Sequence, residues 1–334
     1  MTGLEIRRYR ETDHPEVARV WYESALSSWS GEVPPNLRRE LFERIPRELA
    51  SGGWSLYVAT TEHERIVAML ALEPMERCLR QLFVDPEFQN RGIGKALLDF
   101  ARAQMPSGFW LTTSAENQGG KRFYAREGLF HRYERPHPDH PQAIHSTFDW
   151  SPNASREELM AKYKSRLRSI EADITTLSLD AIVNAANEPL IMGGGVDGAI
   201  RRKAGPQMEA DLRRIGRCPE GTAVITSAYR LPSRWTIHTV APVWNGGDER
   251  SKETLASCYR SSLALARDRG LSSIAFPCIG TGIYGWPADI AAEIAFAAVM
   301  RHVGASDVPS LITFCCFSAA DRERYQSLIE TLSS

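Results

Sequence analysis

Two glycine-rich turns, each set between a strand-like run and a helix-like run, place the strongest constraint on this 334-residue chain. The first follows the apolar run 181–184 and reads Asn184-Ala185-Ala186-Asn187, then Leu190-Ile191-Met192-Gly193-Gly194-Gly195-Val196-Asp197-Gly198-Ala199-Ile200. The second follows 273–277 and reads Cys278-Ile279-Gly280-Thr281-Gly282-Ile283-Tyr284-Gly285-Trp286-Pro287. Around them strands are expected at 167–171, 181–184, 222–227, 235–240, 273–277 and 311–317. Helices are expected at 198–204, 206–215, 252–269, 288–302 and 319–332. Such alternation implies an α/β sheet with helices on both faces. Ligands of such sheets sit in the loops beyond the carboxyl ends of the strands, where both turns lie.

Three consecutive glycines expose backbone N–H groups and admit a ligand at close range. Just before a helix, those groups and the positive dipole end favour phosphate. A glycine run alone is equally a flexible strand-to-helix loop. Two such loops can grip a diphosphate from opposite sides. Tyr284 and Trp286 can pack on a sugar or base, or within the loop. Asp197 can accept a proton from a water, or orient it, and Asn187 offers an amide to a hydroxyl. Each also has a structural alternative, Asn187 as a turn residue and Asp197 as a helix-start carboxylate.

N-A-A-N, G-G-G-V-D-G-A-I, C-P-x-G, I-H-T-V-x-P and P-C-I-G-T-G-I-Y-G-x-P, in that order, resemble a macro domain of the MacroD type over about residues 160–334. The resemblance implies a three-layer α/β/α sandwich that binds ADP-ribose. It also implies hydrolysis of ADP-ribosyl esters on Asp or Glu, or of O-acetyl-ADP-ribose. Asn187 and Asp197 match the catalytic pair. Asp173, with Ile174 beside it, matches the adenine-binding position. Asn184, Gly193, Gly194, Gly195 and Val196 match the loop beside the distal ribose. Gly280, Thr281, Gly282, Ile283 and Tyr284 match the diphosphate loop. Ala172 and Met192 depart from the family, which usually has glycine at both positions. His238 matches the histidine of I-H-T-V and is expected to be a buried, hydrogen-bonded strand residue. The alternative is a reader module that binds ADP-ribose without turning it over.

In the first half, strands are expected at 4–10, 54–60, 65–73, 78–84 and 110–114, and helices at 15–26, 35–49, 94–104 and 119–127. Between the strand at 78–84 and the body of the helix at 94–104 lie Gln89, Asn90, Arg91, Gly92, Ile93, Gly94 and Lys95, whose backbone can cradle a diphosphate at a helix start. With Asn117, Phe123, Tyr124, Gly128 and Leu129 downstream, residues 3–150 resemble a GNAT N-acetyltransferase. The resemblance implies a mixed-sheet α/β domain with acetyl-CoA as co-substrate. Its binding residues would be Leu82, Phe83 and Val84, the loop from Gln89 to Lys95, and Asn117. Tyr124 would protonate the departing thiolate, a role open to a phenol that is protonated at neutral pH. Glu73 and Glu76 are candidate bases or surface charges. The alternative for this half is a degenerate acyl-CoA-binding or scaffolding domain, and the acetyl acceptor is not legible.

The expected organisation is an acyl-CoA-binding domain over 1–150, a linker and short helix over 151–164, and a macro domain over 165–334. Ser155 followed by Glu158 is a capping-box pattern for that helix. Residues 136–141 read as a proline- and histidine-rich loop. The net charge of −1 divides evenly between the halves, so generic nucleic-acid or membrane-surface binding is not expected. The six scattered cysteines form no C-x-x-C pair and are expected to be buried free thiols in a reducing cytoplasm. His131, His137, His140 and His145 fit no zinc spacing, and no metal is expected. No signal peptide or membrane-spanning run is expected.

Overall fold

The computed structural model describes residues 3–27, 35–137 and 140–333, and of 135–143 and 333 the backbone alone. The chain folds as two units, Met1–Arg135 with Ala143–Asn153 and Ala154–Ser334 with Pro136–Gln142.

The first unit runs β1 (Glu5–Arg8), α1 (His14–Ser27), α2 (Leu37–Ala50), β2 (Ser55–Thr60), β3 (Ile66–Glu73), β4 (Cys78–Val84), α3 (Ile93–Gln104), β5 (Phe109–Ser114), α4 (Gln118–Arg126), β6 (Phe130–His137) and β7 (His140–Trp150). The seven strands lie in the order β1-β2-β3-β4-β5-β7-β6. Among the described pairings of this sheet only β4 with β5 is parallel, so the sheet is mixed as expected. Strand β3 is apolar on both faces because both are covered. Val67, Leu70 and Leu72 pack in the core with α3, while Ile66, Met69 and Ala71 pack with α1 and α2. The proline- and histidine-rich loop expected over 136–141 is corrected: β6 extends through His137 and β7 resumes at His140, with 138–139 outside the described residues. Proline is tolerated there because β6 is an edge strand and Pro141 precedes the β5 pairing, which spans His145 to Trp150.

The second unit opens with α5 (Arg156–Ser165), whose capping box is present: Ser155 Oγ accepts from Glu158 N at 3.2 Å and Ser155 N donates to the Glu158 carboxylate at 2.8 Å. Then follow β8 (Leu167–Glu171), β9 (Ala181–Ala185), α6 (Gly195–Ala204), α7 (Pro206–Ile215), β10 (Ala223–Ser227), β11 (Trp235–Thr239), α8 (Glu249–Asp268), β12 (Ser273–Phe276), α9 (Ala288–Ala305), β13 (Leu311–Cys316) and α10 (Ala319–Glu330). The sheet order is β10-β11-β9-β12-β13-β8, parallel except for the β10–β11 pair. Ile182 and Ala275 meet Ile200, Ala204, Met208 and Leu212 of α6 and α7 on one face. On the other, Phe276 of β12 packs on Tyr259 of α8 with ring centres 5.0 Å apart. The three layers follow from strands that are apolar on both sides. The carboxyl ends of β9, β12, β13 and β8 therefore share one edge of the sheet.

Helix α6 begins three residues earlier than the sequence pattern suggests, at Gly195. An acidic residue in its first turn, Asp197, favours the helix start.

Away from that edge, Arg166 closes the C-terminal side of α9. Its guanidinium donates to the carbonyls of Val303 at 3.1 Å, Ser306 at 2.7 Å and Pro309 at 2.6 Å. Arg166→Met is expected to lower stability by about 2–4 kcal/mol, because buried carbonyls lose a charged donor. The shift in urea midpoint between wild type and variant measures it.

Candidate functional site

Parallel pairing of β9 with β11 sets Asn184 directly beside His238. Both are fully buried. Asn184 Nδ2 reaches His238 Nδ1 at 3.1 Å and Asp197 Oδ1 at 2.6 Å. Its two N–H bonds are thereby used, and His238 Nδ1 is an acceptor. The histidine proton then lies on Nε2, which meets Thr226 Oγ1 at 2.9 Å. Burial, reinforced by the charge of Arg201, pushes the His238 pKa down to about 3. The ring is neutral and spoken for, as the sequence led us to expect.

Asp197 is only 4% exposed. Besides Asn184, its Oδ1 accepts from Arg201 Nε at 2.8 Å, and its Oδ2 accepts from Gly193 N at 2.6 Å. The loop glycine is thus pinned to the first turn of α6. Asn187 is engaged too: its Oδ1 accepts from Ile191 N at 3.0 Å and its Nδ2 donates to Ile191 O at 2.8 Å. Here Asn187 clamps its own loop with one of its two N–H bonds, and a Cβ on Gly193 would stand 3.6 Å from its Nδ2. Among the described residues, the N–H groups of Gly194, Gly195 and Val196 make no backbone hydrogen bond, as at any helix start. Ile191 and Met192 are both exposed beside them. Met192 therefore adds an apolar surface to the rim and takes no part in the core.

The second loop is shaped by packing. Gly280 has φ +85°, and a Cβ there would stand 2.7 Å from Trp286 Cδ1. Trp286 is buried under the loop and donates Nε1–H to Pro242 O at 2.7 Å, so it supports the turn and is not placed to touch a ligand. Thr281 Oγ1 donates to Cys278 O at 2.9 Å, and Gly285 N to Gly282 O at 3.0 Å. Among the described residues, the N–H groups of Gly282, Ile283 and Tyr284 make no backbone hydrogen bond. Three successive free N–H groups form an anion-binding concavity. Ile283 is 84% exposed. A Cβ on Gly194 would lie 3.5 Å from its Cδ1, so the two loops meet across one cleft. Burial, followed by the charges of Glu220 and Asp197, raises the Tyr284 phenol above its usual pKa.

At the β8 end, Asp173 Oδ1 accepts from Thr175 Oγ1 at 2.6 Å and Thr175 N at 2.9 Å. The hydrogen bond from the Thr175 side chain holds its carboxyl below the usual range. Oδ2 lies 3.7 Å from Lys203 Nζ. The Ile174 side chain is buried in the core, which leaves only its backbone for a ligand. Sequence reasoning missed Phe317, 93% exposed immediately after β13. Ala172 N donates to Cys316 O at 3.1 Å, which sets Phe317 next to the Asp173 turn. It also missed Arg201 and Glu209 beneath Asp197. The four-residue spacing from Asp197 to Arg201 was a usable signal, whereas Glu209 comes from another helix and had none.

In the first unit, β4 and β5 pair only at Cys78↔Trp110 and Leu79↔Leu111, although β4 continues to Val84 and β5 to Ser114. The strands therefore part and leave a cleft. Of the three β4 residues expected to line it, Leu82 and Val84 turn to the core shared with α3, and Phe83 to the opposite core. Beyond β4, Asn90 (φ +59°) and Gly92 (φ +80°) alternate with Arg91 to form a nest of N–H groups ahead of α3. Gln89 Nε2 is tied to Val84 O at 3.1 Å. A Cβ on Gly94 would lie 3.3 Å from Phe123 Cζ, so α3 and α4 approach closely there. Ile93 is core, and Lys95 pairs with Asp99 at 2.6 Å. Asn117 accepts from Gly120 N at 2.8 Å and donates to Thr113 Oγ1 at 3.1 Å, so its amide caps α4. Tyr124 lies between Phe123 and Phe148, and burial pushes its phenol up to about 12. Glu73 forms an ion pair with Arg80.

Comparison with known proteins supports both halves. A macro domain model matches residues 183–295, and an acetyltransferase (GNAT) domain model matches residues 52–128. A macro domain-containing protein of Ralstonia nicotianae is 51% identical over 163 residues, covering 49% of this chain and 94% of that protein. An O-acetyl-ADP-ribose deacetylase of Citrobacter rodentium is 48% identical over 169 residues, covering 49% and 96%. The crystal structure of the macro domain of ganglioside induced differentiation associated protein 2 aligns with a TM-score of 0.50 at 29% identity, covering 52% of this chain and 88% of that one. The chain belongs to the macro domain family through its second unit and carries a GNAT acetyltransferase domain in its first.

Proposed function

We propose that the second unit binds ADP-ribose across the two facing loops and hydrolyses esters at its distal ribose, O-acetyl-ADP-ribose or Asp/Glu conjugates. The observation that carries this reading is the Asp197 carboxylate, fixed by three donors beside the side-chain-free Gly193. The N–H groups of Gly282, Ile283 and Tyr284 hold the diphosphate, with Gly193, Gly194, Gly195 and Val196 alongside the ribose. Asp173 addresses the adenine amine, and Phe317 supplies a face for the ring. In the reaction, water adds to the ester carbonyl and the bond to the ribose oxygen breaks. That oxygen takes a proton, and the free acid departs. Asp197 Oδ2 orients the water and takes its proton; the diphosphate alongside is the second candidate for that proton. Asn187 acts by fixing the Ile191–Gly193 segment.

The use of both Asn187 amide atoms on Ile191 favours a second reading, an ADP-ribose reader without turnover. Product release separates the two. The hydrolytic reading expects acetate from O-acetyl-ADP-ribose, or free ADP-ribose from Asp/Glu-modified protein. It expects kcat to fall about 100-fold or more in folded Asp197→Asn and Asn187→Ala variants. Turnover equal to wild type in both would remove these residues from the mechanism.

The loop geometry gives an independent test of binding. Gly280→Ala puts a side chain at positive φ and against Trp286. Its ADP-ribose Kd, read by calorimetry, is expected to rise about 10-fold or more.

For the first unit we infer an acetyl-CoA site in the β4–β5 cleft. The diphosphate lies on the nest from Gln89 to Lys95, and Tyr124 is the proton donor to the departing thiolate. Its raised pKa keeps it protonated across neutral pH. Saturating acetyl-CoA is expected to raise the melting temperature of the wild type, by about 2.7 kcal/mol of stabilisation at 100 times Kd. Gly92→Val, strained at its positive φ, is expected to lose that shift. A wild type indifferent to acetyl-CoA would refute the assignment.

A further inference from the structure

The carboxylate of Asp197 offers about four acceptor positions. Oδ1 accepts from two side chains, Asn184 at 2.6 Å and Arg201 at 2.8 Å. Oδ2 accepts only from Gly193 N, at 2.6 Å. A Cβ on Gly193 would stand 3.2 Å from Oδ2, so the space beside that oxygen is open because residue 193 has no side chain. Oδ1 already accepts from two side chains, and Oδ2 is the oxygen beside the Gly193 loop.

Arg201 makes this distinction together with Asn184, and it is the charged member of the two. It is fully buried on α6, one turn after Asp197. Its Nη1 lies 3.0 Å from each oxygen of Glu209, which comes from α7. The guanidinium is thus gripped between two carboxylates on two helices. Burying a cation and a carboxylate, with a second carboxylate half-buried beside them, is a poor route to stability, since apolar replacements of such groups are often neutral or better. What the arrangement supplies is direction. The planar guanidinium donates from Nε to one carboxylate and from Nη1 to another, a geometry that a lysine ammonium cannot reproduce.

We propose that Arg201, held by Glu209, is a positioning residue of the hydrolytic site: it occupies Oδ1 of Asp197 so that Oδ2 alone addresses the substrate. This rests on the hydrolytic reading above. Arg201 does not touch the substrate, and its effect passes through Asp197 and the Gly193 N–H.

The test uses the full chain with Arg201→Lys and Glu209→Gln, so that one variant remains if the other fails to fold. Three quantities are read: steady-state kinetics on O-acetyl-ADP-ribose, ADP-ribose Kd by calorimetry, and amide hydrogen exchange at Gly193 by NMR. Arg201→Lys is expected to lower kcat about 10- to 100-fold while KM and Kd stay within about threefold. Exchange at Gly193 should accelerate about 10-fold, because its acceptor is no longer fixed. Glu209→Gln should move the same quantities in the same direction by less. A folded Arg201→Lys that keeps wild-type kcat overturns the proposal. If the wild type binds ADP-ribose but does not turn over the ester, the hydrolytic reading falls. Faster exchange at Gly193 in the variants would then still support the clamp, and unchanged exchange would overturn it as well.

Discussion

A single carboxylate ties together three parts of the second unit that chain connectivity leaves independent. Asp197 joins the buried end of β9 through Asn184, the glycine loop through Gly193 N, and the layer beneath α6 through Arg201. The sheet contributes as well, because the register of β9 on β11 sets Asn184 against a neutral histidine and so fixes where its amide points. The position of the loop is therefore inherited from the sheet through a chain of hydrogen bonds. Such a network is stiffest when all its members are satisfied, and here Asn184 Oδ1 and Arg201 Nη2 are buried without a partner among the described residues.

The opposite wall of the cleft is held by different physics. Gly280 to Tyr284 carry no charged anchor; the turn rests on the indole of Trp286, which fills the place a side chain at Gly280 would take. One wall is fixed by hydrogen bonds to a charge and the other by shape. Both leave short runs of N–H groups without a backbone partner among the described residues. Buried N–H groups left without an acceptor would each cost a lost hydrogen bond, so walls of this kind favour a ligand rich in acceptors.

The alternation of strands and helices, and the two glycine turns, were legible because periodicity and punctuation are local properties. Strands β4 and β8 and helix α7 begin and end where the pattern puts them. The β6–β7 hairpin was not legible, because prolines that usually break strands are tolerated on a sheet edge, and edge position is decided by the whole sheet. At the site, motif residues were found by their order along the chain, but their partners were not. That Asn187 would spend its amide on Ile191, Asn117 on the α4 cap, and Trp286 on Pro242 depends on three-dimensional neighbours. Glu209 and Phe317 lie outside the turns, and only the fold brings them to the edge where the turns meet.

The parting of β4 from β5 means that the first unit contains an interior break in its hydrogen-bonded ladder. The two parts of the sheet are joined at that point by only two residue pairs, while one core with Leu70 and Leu79 on one side and Leu111 and Phe148 on the other packs against both. A ligand bearing amide groups of its own, lying between the strands, would act as the missing rungs and couple the halves. The cohesion of the domain would then follow the supply of that ligand. In its absence the gap presents unpaired strand edges, the kind of surface that recruits other chains. The same opening that admits a ligand is where the domain is most exposed to wrong pairing when the ligand is scarce.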